Sequence, residues 1–406
     1  MESWTLAWRN LWRNRRRTMI TIAGVTANVA VLIVLLCFNE GVLENGLNNV
    51  LRVTIGDAQI HAPNYRREKS FYDVISKPNE ILKKAAELGY NAAPRSFGFG
   101  LAAAGKKSSG AAFWGVEPEL EKQAFDLPGK VETGQYLDEK AEMGAVIGKK
   151  LAKKLKVGVG DEIVVLVQSA DGSMGNELFR VVGIFKAVGE NIDRSAIMIR
   201  SQDFASLFAA DNMVHEIAFT TSKPQELTKT MADLETIKGS NELLSWKQLL
   251  EAFSEMMTMG KKFMGLFAFI FALVAGLGVM NTMLMATHDR VKEFGVLKAL
   301  GASSGRILTG ITQEAFILSA FSCIFGVLIG VAVTMYLENY GLDLRAYAGE
   351  TINFSGVSLD SVYKAKLVFE HVRLAVVMML IICPLSALYP AFKAARLDPV
   401  VAMNHV

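Results

Sequence analysis

Four apolar runs constrain what this chain can fold into. The first, Met19–Phe38, holds about twenty residues without a charge, the length a helix needs to cross the hydrocarbon of a bilayer. After a long mixed stretch come Phe263–Met285, Phe316–Leu337 and Leu374–Tyr389, the last extended at its front by Val368–Val372. Backbone polar groups in hydrocarbon must pair within their own segment, so each run is expected to be a helix. The spacing predicts one span, an insert of about 220 residues, then three more spans.

Orientation follows from charge. Arg9, Arg13, Arg15, Arg16 and Arg17 precede the first span; Arg290, Lys292, Lys298 and Arg306 separate the second from the third; Lys393 and Arg396 follow the fourth. Basic flanks remain cytoplasmic, so the insert and the loop at about 338–370 belong on the opposite side. An even number of spans returns both ends to the cytoplasm, in agreement with the charges. Hydrophobic residues make up 51% of the chain, and the mean hydropathy of +0.28 suits four spans plus one polar domain. The formal charge of +3 is concentrated beside the membrane, which points to topology and headgroup contact and away from nucleic acid. Cys37, Cys323 and Cys383 all lie in or at the apolar runs, so no disulfide is expected in the insert. The arginines before the first run outline a signal peptide, and Cys37 invites a lipoprotein reading. Val34-Leu35-Leu36 lack the small residues of a lipobox, however, and no small-x-small site comes after them, so an uncleaved anchor is expected.

The expected architecture is an α-helical membrane protein with four spans (1+3) and a large α/β extracytoplasmic domain on a helical stalk. Its divisions are an amphipathic N-terminal helix (1–18), the first span (19–38), stalk helices with the outer domain (39–262) and the second span (263–285). A cytoplasmic segment (286–306), the third span (311–337), an outer loop (338–370), the fourth span (371–389) and a cytoplasmic tail (390–406) complete it. Trp4, Trp8 and Trp12 among arginines suit a helix at headgroup level, or an ordinary charged flank. Val42, Leu43, Gly46, Leu47, Val50 and Leu51 continue a helical period past the first span. Leu243, Trp246, Leu249, Leu250, Phe253, Met256 and Met257 do the same before the second, so two stalk helices are expected to pack together. Between them, Ala58–Ile60, Ile163–Val167, Phe179–Phe185 and Ala196–Ile199 read as strands. Asn79–Leu88, Ala145–Leu155, Gln202–Phe208 and Pro224–Leu234 read as helices, and the Gly-, Ala-, Lys- and Ser-rich stretch near 95–110 reads as a break between subdomains.

Catalytic chemistry is hard to find. Gly100 to Lys107 nearly spells a phosphate-binding loop, but Lys107 occupies the place of the hydroxyl that would hold magnesium, and a flexible basic loop fits better. His61, His215, His288, His371 and His405 show no ligand spacing, and no Gly-x-Ser-x-Gly is present. Methionines crowd the second stalk and span, including Met256, Met257 and Met264. Adaptable packing is their commonest role, and lining a pocket for acyl chains is another. Asn28, Gln313 and Glu314 are the polar residues of the spans, with a headgroup-level contact expected for Glu314. Gly326 and Gly330 form a GxxxG, and Gly276 and Gly278 offer similar close approach.

The sharpest local pattern is Thr287–Ser303, a short amphipathic helix with Gly301 as its terminator. Val291, Phe294 and Leu297–Leu300 give one apolar face, edged by Arg290, Glu293 and Lys298, which suits docking into a groove on a cytoplasmic partner. Arg290-Val-Lys-Glu293-Phe294-Gly295-Val-Leu297-Lys298-Ala-Leu-Gly301-Ala resembles the coupling helix of FtsX-like (MacB, type VII) ABC transporter permeases. Tyr389–Val400 resembles that family's C-terminal signature and Trp8–Thr18 its N-terminal one. In the insert, Gly115–Glu121, Val146–Ala152 and Leu155–Asp161 are similar to the outer domain of lipoprotein-releasing LolC/LolE and MacB permeases. The first of these stretches, with Phe179–Phe185, leans toward the lipoprotein-releasing side.

The resemblance implies a pair of permeases, as two copies or as two related chains, bound to two ATPase subunits that hold ATP and magnesium. The permease carries no cofactor and no catalytic or metal site, and the few residues outside the spans imply that the ATPase is a separate chain. ATP-driven closure would push on Arg290, Glu293, Phe294, Gly295, Leu297, Lys298 and Gly301. A lipoprotein would be drawn from the inner membrane into a cavity near Asn28, Phe253, Met256, Met257, Met264 and Phe267, and passed to a periplasmic carrier. Export of peptides, toxins or antibiotics through a tripartite pump, or control of a cell-wall hydrolase without transport, are the alternatives.

Overall fold

The structure, a computed structural model, describes residues 2–138, 142–186, 188–221, 227–343, 351–354, 357–360, 362–398 and 402. The chain forms two compact units. One comprises Met1–Glu44, Met256–Asp343 and Val362–Val406; the other comprises Asn45–Glu255 and Leu344–Ser361.

Among the described residues, four helices are long and apolar enough to cross a membrane: Arg15–Ile55, Glu251–His288, Ser304–Tyr340 and Phe369–Ala395. The last turn of the first, Leu51–Ile55, is π-helical. A separate helix, Glu2–Arg13, precedes them and ends at Asn14. Val29, Leu32, Ile33, Val279, Leu318 and Met379 are among the side chains that fill the common core. Small residues set the spacing. A Cβ on Gly326 would lie 2.6 Å from Val29 Cβ, and one on Gly330 would lie 3.1 Å from Ile33 Cβ. The GxxxG is therefore consumed between the first and third spans. Gly276 packs closely on Ser386 of the fourth span, whereas Gly278 faces open space and makes no such approach. The Thr21 and Thr282 hydroxyls pair at 2.8 Å, and Thr26 donates to the Ser322 carbonyl at 3.3 Å.

At the far end of these helices the first span is clasped on two sides. Glu40 meets Lys261 at 3.3 Å and His371 at 3.6 Å, and Glu44 pairs with Lys366. Lys366 also donates its backbone N–H to the Cys37 carbonyl at 3.0 Å, and Gly41 admits the backbone of Lys364–Lys366 where a side chain would collide. The Glu40–Lys261 pair joins the first two spans just beyond their apolar runs. The second extension is shorter than its periodicity predicts: Leu243 lies in a strand, Trp246–Leu249 forms one isolated turn, and the long helix starts only at Glu251. Ser245 caps that turn through a reciprocal bond with Gln248, which satisfies backbone donors locally and sets the turn apart from the long helix.

The main sheet of the second unit has, among the described residues, ten strands: β1 (Ala58–His61), β2 (Asn91–Ala104), β3 (Lys107–Val116), β4 (Val131–Gly134), β5 (Gly144–Ile147), β6 (Glu162–Gln168), β7 (Met174–Phe185), β8 (Ala196–Arg200), β9 (Glu216–Thr220) and β10 (Glu242–Ser245). Six of them pair in a closed circuit, β2-β3-β8-β5-β7-β6 and back to β2. Phe113, Ile147, Ile163, Val165, Phe179 and Ile197 fill its interior, with Phe204 and Phe208 stacked at 4.3 Å over one side. The first half of β2 pairs instead with β9, and β1 and β10 continue that sheet beneath the helices Pro78–Glu87 and Leu227–Ile237.

Three expectations change here. The stretch near 95–110 is no break but the longest hairpin, running from Arg95 opposite Val116 to Ala104 opposite Lys107. Its tip turns on Gly105 at φ 54°, so Gly100–Lys107 is neither a flexible loop nor a phosphate cradle at a helix start. Ala145–Leu155 divides into strand β5 and the helix Lys149–Leu155. His61 and His215, far apart in sequence, come together across the sheet, with His61 Nδ1 3.1 Å from the His215 carbonyl and Tyr65 stacked on both rings. Of the expected helix Pro224–Leu234, the part through residue 226 lies outside the described residues, as does His405.

Candidate functional site

The segment joining the second and third spans is held by a dense set of specific polar contacts. Helix Val291–Ala299 starts at Arg290 and closes at Leu300, and Gly301 turns the chain at φ 90°, a conformation that glycine adopts without a Cβ clash. Ser303 then caps the third span, accepting from the Arg306 N–H. Lys298 reaches across to donate to the carbonyls of Ala395 at 2.7 Å and Leu397 at 2.8 Å, and Ser304 donates to Ala395 at 3.0 Å. A lysine on the last carbonyls of another helix satisfies orphan acceptors and complements that helix's dipole. The segment is thereby pinned to the end of the fourth span.

Its other side is tied to the N-terminal helix. Arg290 donates to Glu314 at 2.9 Å and Glu293 at 3.2 Å, with its guanidinium 5.2 Å from the Phe294 ring centre. Asn10 donates to the same Glu314 oxygen at 2.8 Å, Arg13 pairs with Glu293, and Arg17 donates to Asp289 at 2.8 Å. These groups surround a cavity of about 80 Å³ walled by Asn10, Arg17, Thr282, Arg290 and Glu314 among others. Burial opposes the charge on Arg290, but Glu314 and Glu293 outweigh it and hold its pKa above the ordinary value. For Glu293 burial acts upward, and hydrogen bonds from Arg13 and Arg290 prevail to leave its pKa below the usual range.

Glu314 departs from the headgroup contact expected of it. It is only 5% exposed and serves as the hub between the N-terminal helix and the segment. The sequence carries no signal for the roles of Asn10, Arg13, Arg17 and Asp289, because each lies in a charged flank whose partners are more than two hundred and fifty residues away. The apolar residues of the segment also divide differently. Val291, Phe294 and Gly295 are buried, while Val296, Leu297 and Leu300 are exposed, Leu300 by 80%. The helix thus has two apolar faces, one buried against its neighbours and the other exposed.

The suggested substrate residues do not all share a side. Met264 is half-buried and packs into the span core, Phe267 is exposed, and Met256 and Met257 are half-buried. Phe253 is buried and belongs to the second unit. Asn28 is half-buried, with Oδ1 shielded from solvent and lacking a hydrogen-bond partner among the described residues. Met259, Phe263, Leu266, Ile270, Leu273 and Leu277 are all exposed at alternating spacings of three and four, making one apolar stripe along the second span. Among the described residues no group of His, Cys, Asp and Glu has the geometry to hold a metal ion.

Two family descriptions match the chain: a MacB-like periplasmic core domain over residues 18–237 and an FtsX-like permease C-terminal region over 265–399. An uncharacterized ABC transporter permease of Methanocaldococcus jannaschii is 22% identical, with 98% of this chain and 97% of that protein aligned. The lipoprotein-releasing system transmembrane protein LolC of Neisseria meningitidis is 23% identical over 96% of this chain and 94% of its own length. The pyoverdine export ATP-binding/permease protein PvdT of Pseudomonas fluorescens is 28% identical over 98% of this chain, which spans 58% of that longer protein.

Proposed function

The chain belongs to the FtsX-like ABC transporter permeases with a MacB-like periplasmic core domain, and from that premise we propose that Val291–Gly301 is the lever by which a partner ATPase drives it. The observation that carries this reading is the double-faced helix: Phe294 and Lys298 lock one face into the permease, while Val296, Leu297 and Leu300 present apolar surface outward. A partner groove would bury that outward face. Two ATPase subunits, holding ATP and magnesium, would engage a pair of permeases, and their closure would move the ends of the second, third and fourth spans together.

The substrate we propose is a lipoprotein drawn from the membrane and handed to a periplasmic carrier. The exposed stripe from Met259 to Leu277 supports this, because it offers acyl chains a continuous apolar track at bilayer depth. The full-length likeness to a lipoprotein-releasing protein points the same way. Export of a small molecule is the second reading, favoured by the likeness to a pyoverdine exporter. A photo-crosslinker placed at Met256 or Phe267 distinguishes them. Capture of acylated protein is expected; labelling by a small exported metabolite with no acylated protein would move the assignment to export.

The coupling role has its own test. In membranes containing the permease and its ATPase, Leu300→Asp is expected to weaken ATPase association about tenfold or more, the loss typical of an apolar anchor in an interface. Unchanged association would remove the outward face from the mechanism.

A further inference from the structure

We infer that Arg9, Arg15 and Arg16 form a binding surface for the headgroups of anionic phospholipids in the cytoplasmic leaflet. The five arginines between residues 9 and 17 fall into two sets. Arg13 and Arg17 are held by Glu293 and Asp289. Arg9, Arg15 and Arg16 are exposed, and among the described residues none has a carboxylate within ion-pair distance. Basic flanks set topology by their sign alone, which leaves this division unexplained; neutralised and unneutralised arginines would serve that purpose equally.

The surroundings specify what the free cations meet. Trp4 and Trp8 remain partly exposed while resting on Phe316 and Phe321 of the third span, at ring-centre distances of 6.0 Å and 5.1 Å. Such tryptophans sit at the membrane–water boundary. Immediately after Arg15 and Arg16 the same helix exposes Met19 and Ile20, at 53% and 66%. A phosphodiester held by the arginines would therefore have apolar surface beside it on the side where its acyl chains continue. A soluble anion gains nothing from that surface, whereas a lipid is matched at both ends. Arg9 shares its helix with Asn10 and Arg13, which hold Glu314 and Glu293, and Arg15 and Arg16 open the helix that follows it. Resting on the coupling role proposed above, lipid occupancy would brace the segment Val291–Gly301 against the push of the ATPase.

Native mass spectrometry of the detergent-purified full chain tests the binding directly and needs no ATPase, so its failure is separate from failure of the coupling reading. Phosphatidylglycerol is expected to be retained at least tenfold over phosphatidylcholine at low salt, since each basic side chain near an anionic surface adds to the attraction. The preference should disappear in Arg9→Gln/Arg15→Gln/Arg16→Gln and persist in the corresponding triple lysine variant, which keeps the charge that sets topology. Equal retention of the two lipids by the wild-type chain would overturn the proposal. So would displacement of phosphatidylglycerol by an equal concentration of inorganic phosphate, which would mark a simple anion site. In nanodiscs with the ATPase present, identical stimulation in neutral and anionic bilayers would reject the bracing role while leaving the binding surface intact.

Discussion

Arg95 shows how one side chain organises the extracytoplasmic unit. It is 1% exposed and donates to Glu121 at 2.7 Å and 3.2 Å, to Glu216 at 2.9 Å and to the Thr54 carbonyl, with the Phe125 ring 4.2 Å away. Burial lowers its pKa and the two carboxylates raise it further, leaving it above the ordinary value and permanently charged. Arg95→Met would strand Glu121, which is wholly buried, beside Glu216, and is expected to destabilise the unit by about 3–5 kcal/mol, read as a lowered unfolding midpoint of the full chain in detergent. The histidine pair beside this cluster gives a pH prediction. Burial pushes both His61 and His215 below the ordinary histidine value, with Glu216 countering in part at His61. The unfolded chain therefore takes up protons that the folded chain refuses, so stability falls as pH drops below about 6.5 and continues to fall until the depressed folded values are reached. Amide protection in β1 and β9, corrected for the pH dependence of intrinsic exchange, should fall over that window; protection unchanged with pH there would show that the histidines do not contribute. None of this cluster is legible in the sequence, because Arg95, Glu121, Glu216 and the histidines are joined by strand pairing and not by sequence spacing.

At the scale of elements, glycine explains both what the sequence reveals and what it hides. The spans are evident because about twenty uncharged residues have one solution in hydrocarbon. The hairpin β2–β3 is hidden because Gly98, Gly100 and Gly115 look like loop residues. Each is there for packing: a Cβ at Gly98 would strike the Phe208 ring, one at Gly100 would lie 2.6 Å from Val167 Cγ1, and one at Gly115 would lie 2.7 Å from Phe204. The position of the helix after the second span is legible, but its apolar residues read as one face because Phe294 and Leu297 are only three positions apart. Helical rotation, with Phe294 turned inward on Arg290, places Val296, Leu297 and Leu300 on the other side. Glu293 connects both faces, since it bonds to Arg13 and Arg290 from the exposed side of the helix. Glu293→Gln should reduce transport per ATP hydrolysed without lowering the thermal midpoint, because its carboxylate is substantially exposed and such pairs contribute little to stability. Full transport in this variant would exclude Glu293 from coupling. Gly41 makes the matching prediction at the opposite end of the first span. Gly41→Leu would collide with the Lys364–Lys366 backbone and displace it, detectable as new protease cleavage in 362–368.

For the whole molecule, the two sets of helix-end contacts give a consistent account of transmission. On the basic side, the segment 289–303 is fastened to the N-terminal helix through Glu293 and Glu314 and to the fourth span through Lys298. At the far ends, Glu40 and Glu44 fasten the first span to Lys261, Lys366 and His371. Under the proposed coupling, a push on the segment would reach helices tied to one another near both ends, and rigid displacement of a bundle costs less than repacking its core. Membrane sidedness is the premise of this transmission and is directly measurable. With Cys37, Cys323 and Cys383 all buried, cysteines introduced singly at Ser303 and at Ser108 supply the reactive thiols. The charge distribution predicts that Ser108→Cys reacts with a membrane-impermeant maleimide once the outer barrier is opened, whereas Ser303→Cys reacts only after the inner membrane is permeabilised. Reaction of both under the same condition would contradict the single crossing, 263–285, expected between them. In that case an ATPase on one side could not act through the segment 289–303 on a domain held on the other.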